Sequence, residues 1–270
     1  MNFYDKTLKN LLLARMIATD ETVLVVGGGE SDRNVFFNNG FTKVLISNLE
    51  FDRGVDDYSP FSWEFQDMEG LSCKDESYDW VFVYAGLHHC SSPHRALCEM
   101  LRVSKKGIGV FEGRQSLLNK VSVSLGLVPA YELEPLVLSV GRSGGLRNSN
   151  IPNFIYRWTE NEVEKTVNSY LPHFKHNFWY YYGYTIPLER LSMSPSLLKR
   201  SVGKLAQGIL PFFKILFPKQ GNHFAFVVSK KGKLQPWLAV NDKGELEFVR
   251  KYATENFNPT KYTGRHKYEG

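Results

Sequence analysis

The stretch TVLVVGGGESD, residues 22–32, constrains this chain more than any other. Four apolar residues, Val23 to Val26, run straight into Gly27, Gly28 and Gly29. Polar Glu30, Ser31 and Asp32 follow, and then a segment of helical spacing. A buried strand that breaks at glycines and restarts as a helix brings bare backbone close to a ligand and aims amide N–H groups at it. Taken alone, the pattern also fits an ordinary tight turn of an α/β protein, so the rest of the chain decides its meaning.

Further apolar runs recur at strand length, Val44-Leu45-Ile46, Trp80 to Tyr84 and Ile108 to Phe111, with Trp63-Glu64-Phe65-Gln66 as a short third strand. Between them lie helical patterns at residues 3–18, at 32–39 closed by Gly40, and from Ser92-Pro93 through Arg102. Apolar strands alternating with helices argue for a parallel sheet. The length of 270 residues suits one large domain, or one domain carrying an elaborate insertion. A hydrophobic content of 43% with 23% charged residues is globular and leaves ample material for a core. The net charge of +5 is a mild excess, compatible with an anionic substrate but first of all with solubility. Cys73, Cys90 and Cys98 have neither disulfide nor metal-ligand spacing, which points to reduced thiols in a cytoplasm. The N-terminal residues read as a helix entering the first strand rather than a signal peptide, and no apolar run reaches membrane-spanning length.

The strand ends carry the candidate ligand-binding groups. Asn48 and Glu50 follow the second strand, about 20 residues past the glycines, where an acidic side chain accepts hydrogen bonds from ribose hydroxyls. The third strand delivers Gln66 and Asp67, a carboxylate suited to an exocyclic amine. The fourth closes at Ala85-Gly86-Leu87-His88-His89-Cys90.

The segment from Val23 to Glu112 resembles the class I S-adenosylmethionine-dependent methyltransferases, particularly the small-molecule and sugar methyltransferases. The glycine turn, Gln66-Asp67 with Leu71, and Asp75-Glu76-Ser77-Tyr78-Asp79 carry the likeness. So does Leu87-His88-His89 followed by Pro93, Ala96-Leu97, Glu99, Arg102-Val103 and a Lys-Lys-Gly turn. The resemblance implies a Rossmann-like, doubly wound, mostly parallel seven-stranded α/β sheet with a cap insertion before the last strands. It implies S-adenosyl-L-methionine as cofactor, resting on Gly27, Gly28 and Gly29, with Asn48 or Glu50 on the ribose. Asp67, beside Met68, would take the adenine, and Gly86 and His88 would pack near the transferred methyl. Val25 and Ser31 depart from the family pattern, and Glu30 is the candidate to supply the missing charge near the methionine amine.

Methyl transfer is an in-line displacement at a sulfonium carbon, so holding donor and acceptor in line supplies most of the catalysis. A hydroxyl acceptor gains further from a general base. His89 is the candidate base and His88 the packing residue. Adjacent histidines with no carboxylate cluster nearby in sequence give poor metal-ligand spacing, so no metal is expected.

After Gly113 the alternation stops. The reading divides the chain into a cofactor-binding core (1–113), a cap or acceptor insertion with a late sheet strand (114–222), and a final strand with a C-terminal extension (223–270). Arg114, Arg142, Arg147, Tyr156 and Arg157 are the candidates for acceptor recognition, with the stretch 141–153 as a cap over the site mouth. Thr159 and Glu162 form a capping box that starts a helix. Phe178 to Tyr182 and His223 to Val228 read as the last strands. Leu197 to Phe217 mixes basic and apolar residues as a helix interrupted by Pro211, suited either to packing on its own domain or to a bilayer surface. The last ten residues are expected to be mobile.

The expected activity is O-methylation of a saccharide, nucleotide-sugar or other small anionic metabolite in the cytoplasm. The alternatives are a non-catalytic interaction subunit of the same fold and a membrane-peripheral methyltransferase of lipid-linked acceptors. The small, scattered positive charge disfavours a nucleic-acid substrate.

Overall fold

The computed structural model describes residues 2–50, 54–185, 196–230 and 232–256. The last ten residues, expected to be mobile, lie outside the described residues. One seven-stranded sheet organises the chain: β1 (Val23–Val26), β2 (Val44–Asn48), β3 (Ser62–Phe65), β4 (Tyr78–Tyr84), β5 (Ser104–Gly113), β6 (Asn177–Gly183) and β7 (His223–Ser229). Their spatial order is β3-β2-β1-β4-β5-β7-β6, with β1 to β5 parallel and β7 antiparallel to both neighbours. β1, β2 and the middle of β4 are buried on both faces, which is why their sequences are continuous apolar runs rather than alternations. Two apolar clusters fill the two faces. One contains Leu24, Val81, Leu97, Met100 and Trp158, and the other Tyr4, Leu8, Phe36, Phe82 and Phe111.

Helix α1 (Phe3–Leu13) is shorter than the 3–18 periodicity predicts, because Arg15 turns into the left-handed region (φ 54°) and ends it. Helix α2 (Glu30–Asn38) begins two residues earlier than predicted. The Asp32 carboxylate accepts from the Gly29 N–H at 2.9 Å and closes the first turn. Helix α3 (Pro93–Val103) connects β4 to β5. The insertion after β5 holds α4 (Leu117–Ser124), α5 (Glu134–Leu138) and α6 (Glu160–Tyr170), the last started by the Thr159–Glu162 capping box. Because β6 and β7 join the same sheet, the boundaries at 113 and 222 frame an insertion, not a second sheet.

Helix α7 (Leu197–Leu216) runs through Pro211, which the sequence reading took as an interruption. On an exposed helix the carbonyl that loses its partner can turn to water, so the break is not forced. Two short strands, β8 (Leu238–Val240) and β9 (Leu246–Phe248), form a hairpin before α8 (Arg250–Asn256). No helix among the described residues is long and apolar enough to cross a membrane.

Candidate functional site

Two cavities open where the parallel strands end, one on each side of the β4 terminus. The first, about 250 Å³, is lined by Gly27, Asn48, Glu50, Asp67, Met68, Gly86, His89 and the cap residues Gly144 to Asn148 except Leu146. The second, about 220 Å³, is lined by Tyr84, His88, Glu112, Asn119, Arg157 and His223 among others.

The first cavity is built by local turns. Gly27 sits at φ +60°, where a side chain is strained, and a Cβ there would overlap the Met68 methyl group. Gly28 is packed instead: a Cβ would approach Val25 Cγ1 to 2.8 Å and Ile46 Cγ2 to 3.0 Å. Asn48 Nδ2 donates to the Gly28 carbonyl (2.7 Å) and the Tyr58 hydroxyl (3.0 Å). Its Oδ1 accepts from Trp63 Nε1 (3.1 Å) and the Glu50 amide (3.1 Å). The Asn48 amide is thus committed to tying β2 to the glycine turn, and Glu50 is the acid that faces the cavity. Asp67 ion-pairs with Arg147, and Asn148 Nδ2 donates to the Leu49 carbonyl at 2.7 Å, so the cap closes over this cavity.

Between the cavities lies a cluster of four titratable side chains. Ala85 turns the chain at φ 51°, and a short 3-10 turn (Leu87–His89) presents both imidazoles. His88 Nδ1 lies 2.7 Å from Glu112 Oε2 and its Nε2 lies 3.2 Å from Glu132 Oε2. His89 Nδ1–H donates to the Gly145 carbonyl at 3.3 Å, and its Nε2 lies 3.3 Å from the same Glu132 oxygen. Glu112 also accepts from the Leu87 amide (2.7 Å). Asn153 Nδ2 donates to the His88 carbonyl (3.1 Å) and to Glu132 (3.3 Å). Burial opposes a charge on His88, but Glu112 and Glu132 outweigh it and push its pKa up to about 10. His89 goes the other way, lowered by burial and by the neighbouring His88. Glu132 is held below the usual carboxylate range, chiefly by its hydrogen bond from His88.

Residues 47–111 match the family model described as a methyltransferase domain. No curated protein matches the chain. Among solved structures, a putative methyltransferase from Bacillus halodurans shares 16% identity over 84% of this chain and 99% of that one, with a TM-score of 0.51. A methyltransferase from Thermotoga maritima, titled a possible histamine N-methyltransferase, shares 14% identity over 83% of this chain and 89% of that one at TM-score 0.46. A putative methyltransferase from Haloferax volcanii, solved with the Trm112 methyltransferase activator, shares 13% over 84% and 92% at 0.49. The matched domain covers β3, β4, α3 and most of β5, the strands whose ends line the first cavity and support the cluster. Residues 47–111 thus carry a methyltransferase domain, and the sheet around them has the fold seen in solved methyltransferases.

The cofactor expected of a methyltransferase domain of this fold is S-adenosylmethionine. The first cavity suits it, since Gly27 leaves space beside Met68 that any side chain would fill, and carboxylates line the side formed by β2 and β3. Val25, fully buried, packs under Gly28, so β1 itself carries no acid there, and the buried acid at the turn is Asp32 from α2. Gly28 and Gly29 shape the turn without lining the cavity, and Glu30 is exposed on the first turn of α2, not in the cavity. His88, predicted to pack on the cofactor, faces the second cavity instead, drawn there by Glu112.

The predicted acceptor group divides. Arg157 lines the second cavity, whereas Arg147 lines the first, drawn there by Asp67. Arg114 is buried and bound bidentately to Glu160 (2.7 and 3.0 Å) beneath the Tyr182 ring, which commits it to holding the insertion to the sheet. The Tyr156 hydroxyl donates to Glu162 at 3.3 Å and meets His94 Nε2 at 2.9 Å, in a cluster with Trp158. Arg142 is exposed and lines neither cavity.

Sequence reasoning missed Glu112, Glu132 and Asn153. A signal existed for Glu112, a lone charge closing the apolar strand Ile108 to Phe111. None existed for Glu132, which lies 44 residues from His88 and supplies the carboxylate that the local spacing lacks.

Proposed function

We propose that this methyltransferase transfers its methyl group to a hydroxyl of a small anionic acceptor, of the saccharide or nucleotide-sugar class, held in the second cavity. Arg157 carries the reading. Its guanidinium is half-buried and donates only to the Ile155 and Pro129 carbonyls, at 3.2 and 2.8 Å, and among the described residues no carboxylate pairs with it. A partly desolvated cation with no counter-ion is costly, and an acidic ligand removes that cost. The neighbouring Asn119 and His223 add polar contacts suited to hydroxyl-rich acceptors.

In this reading the bound cofactor supplies an electrophilic methyl carbon, and the protein contributes alignment. Glu50 and Asp67 hold the nucleoside part, and Gly27, Met68 and Gly86 shape the passage toward the β4 turn. His89, its pKa lowered, lies on the wall of the first cavity with its ring 4.6 Å from that of His88 on the second. It acts where the acceptor's hydroxyl crosses this partition toward the cofactor; His88 is fixed by Glu112. Residues 114–222 act as the acceptor-recognition insertion, and the protein works in the cytoplasm.

Calorimetry with nucleotide-sugars and sugar phosphates, in the presence of S-adenosylhomocysteine, tests the reading. Anionic acceptors should bind and neutral sugars should not. Arg157→Ala should weaken acceptor binding by about 1.5–3 kcal/mol without moving cofactor affinity. Equal binding of neutral acceptors, or indifference to Arg157→Ala, rejects it.

A second reading rests on α7. Leu205, Ile209, Phe212, Ile215 and Leu216 are all exposed along a helix that also carries Arg200, Lys204 and Lys214 and no acidic residue. This composition suits an anionic bilayer surface and hence a lipid-linked acceptor. Flotation with anionic and with neutral liposomes separates the two: no association with either removes this version.

A further inference from the structure

We propose that His88, His89 and Glu132 form a binding site for one divalent transition-metal ion of the zinc type. The three ligand atoms converge. His88 Nε2 and His89 Nε2 lie 3.2 and 3.3 Å from one and the same Glu132 oxygen, and all three atoms fall within 4.8 Å of one another. A tetrahedral ion with bonds of roughly 2.0–2.1 Å spaces its ligands about 3.3–3.4 Å apart. The two separations from Glu132 therefore fit directly, and the two imidazole nitrogens need only stay within their 4.8 Å of one another.

The surroundings have the form that metal-bound histidines require. A ligating imidazole turns its other nitrogen to a carboxylate or a backbone carbonyl, which fixes the ring and leaves the metal-facing nitrogen as a lone pair. Both histidines turn Nδ1 to such a partner. His88 Nδ1 faces Glu112 Oε2 at 2.7 Å, and His89 Nδ1–H donates to the Gly145 carbonyl at 3.3 Å. With the His89 proton on Nδ1, its Nε2 lone pair faces a carboxylate oxygen at 3.3 Å, an arrangement that a cation between them resolves. Asn153 steadies Glu132 from the side through Nδ2. Two carboxylates, Glu112 and Glu132, supply the charge that balances a divalent ion. Two nitrogens and one oxygen select a transition ion over magnesium or calcium, which prefer oxygen-only shells.

His89 lines the first cavity and His88 the second, so the ion would stand in the partition between donor and acceptor. There it would draw electron density from an acceptor hydroxyl, a role that rests on the methyl-transfer reading above; the site itself rests on its side chains alone.

The test uses the full chain, stripped with a chelator and titrated with Co²⁺ and then Zn²⁺. Visible absorption reports the ligand geometry, and metal analysis after desalting reports the stoichiometry. One Co²⁺ per chain with a tetrahedral spectrum, displaced by Zn²⁺, is expected. His89→Ala and Glu132→Ala should each abolish it, and Glu112→Gln should weaken it by about 10–100-fold. Circular dichroism confirms that each variant is folded, and S-adenosylhomocysteine binding is measured in parallel. No cation binding by the wild-type chain, or binding that survives both alanine variants, overturns the site. Cofactor binding without cation binding refutes this proposal alone. Cation binding lost in the variants, in a chain that binds no cofactor, supports the site and refutes its methyl-transfer role.

Discussion

The two cavities flanking β4 are assembled by different means. The first takes its walls from the turns that end β1, β2, β3 and β4, each reached within a few residues of a buried strand. The second sets Tyr84 and Glu112, at the ends of the adjacent strands β4 and β5, against Asn119, Arg157 and His223, which arrive only once the chain after β5 has folded back over the sheet. Charge is handled differently as well. The first cavity has carboxylates at its rim and a buried acid beneath its glycine turn. The partition toward the second holds buried ions in mutual contact. A site made of local turns tolerates the loss of one contact, whereas a site made of interlocked buried charges does not.

That contrast can be broken experimentally, and the largest effect belongs to the partition. Glu112→Ala removes both the partner of His88 and the acceptor of the Leu87 amide, and should cost about 3–5 kcal/mol of stability in chemical denaturation. A loss below about 1 kcal/mol would mean that the ion pair contributes no more than an exposed one.

Next in size is the acid under the glycine turn. Asp32 is buried, and desolvation lifts its pKa from the ordinary carboxylate value to about 6, against the hydrogen bond from Gly29. The folded chain therefore binds this proton more tightly than the unfolded chain. Its contribution is present at acid pH and is lost as pH rises between about 4 and 6, by roughly 3 kcal/mol in all. Asp32→Asn should flatten that part of the stability–pH curve while keeping an acceptor for the Gly29 amide; an unchanged slope would place the proton elsewhere.

At the rim of the first cavity, Asp67→Ala should weaken S-adenosylhomocysteine binding by about 1–3 kcal/mol in calorimetry. Unaltered affinity would move the adenine away from β3. His89→Ala should slow turnover by about 10²–10⁴-fold with little change in cofactor affinity, and equal turnover would remove it from the chemistry. The smallest effect is expected at the cap. Arg147 is more than half exposed, so Arg147→Ala should change stability by no more than about 1 kcal/mol. Its cofactor affinity should hold or rise as Asp67 is released, and a large loss would make Arg147 a cofactor ligand.

The sequence carried the first cavity well. The run Val23 to Val26 into three glycines and the acids placed after β2 and β3 are local patterns, and the parallel sheet followed from alternation, whereas the strand order came only from the structure. Within that cavity, Asn48 and Glu50 could not be told apart, because the Asn48 amide is claimed by Gly28, Tyr58, Trp63 and Glu50 only in the folded chain. The acceptor arginines were less legible. Five polar or aromatic residues in one insertion look alike in sequence, yet Arg114 ends against Glu160, Arg147 against Asp67, and Arg157 in a cavity.

What the amino-acid order determined by itself is the parallel sheet, its glycine turn and the resemblance to a methyltransferase domain, because strand periodicity, glycine conformational freedom and strand-end acids act over a few residues. What only the tertiary structure decided is which charges meet. Glu132 reaches His88 and His89 across 44 and 43 residues, and Arg157 meets no acid at all among the described residues. Such pairings are set by how the insertion packs on the sheet, where the cost of burying each charge selects its partner, and no short-range pattern encodes that choice.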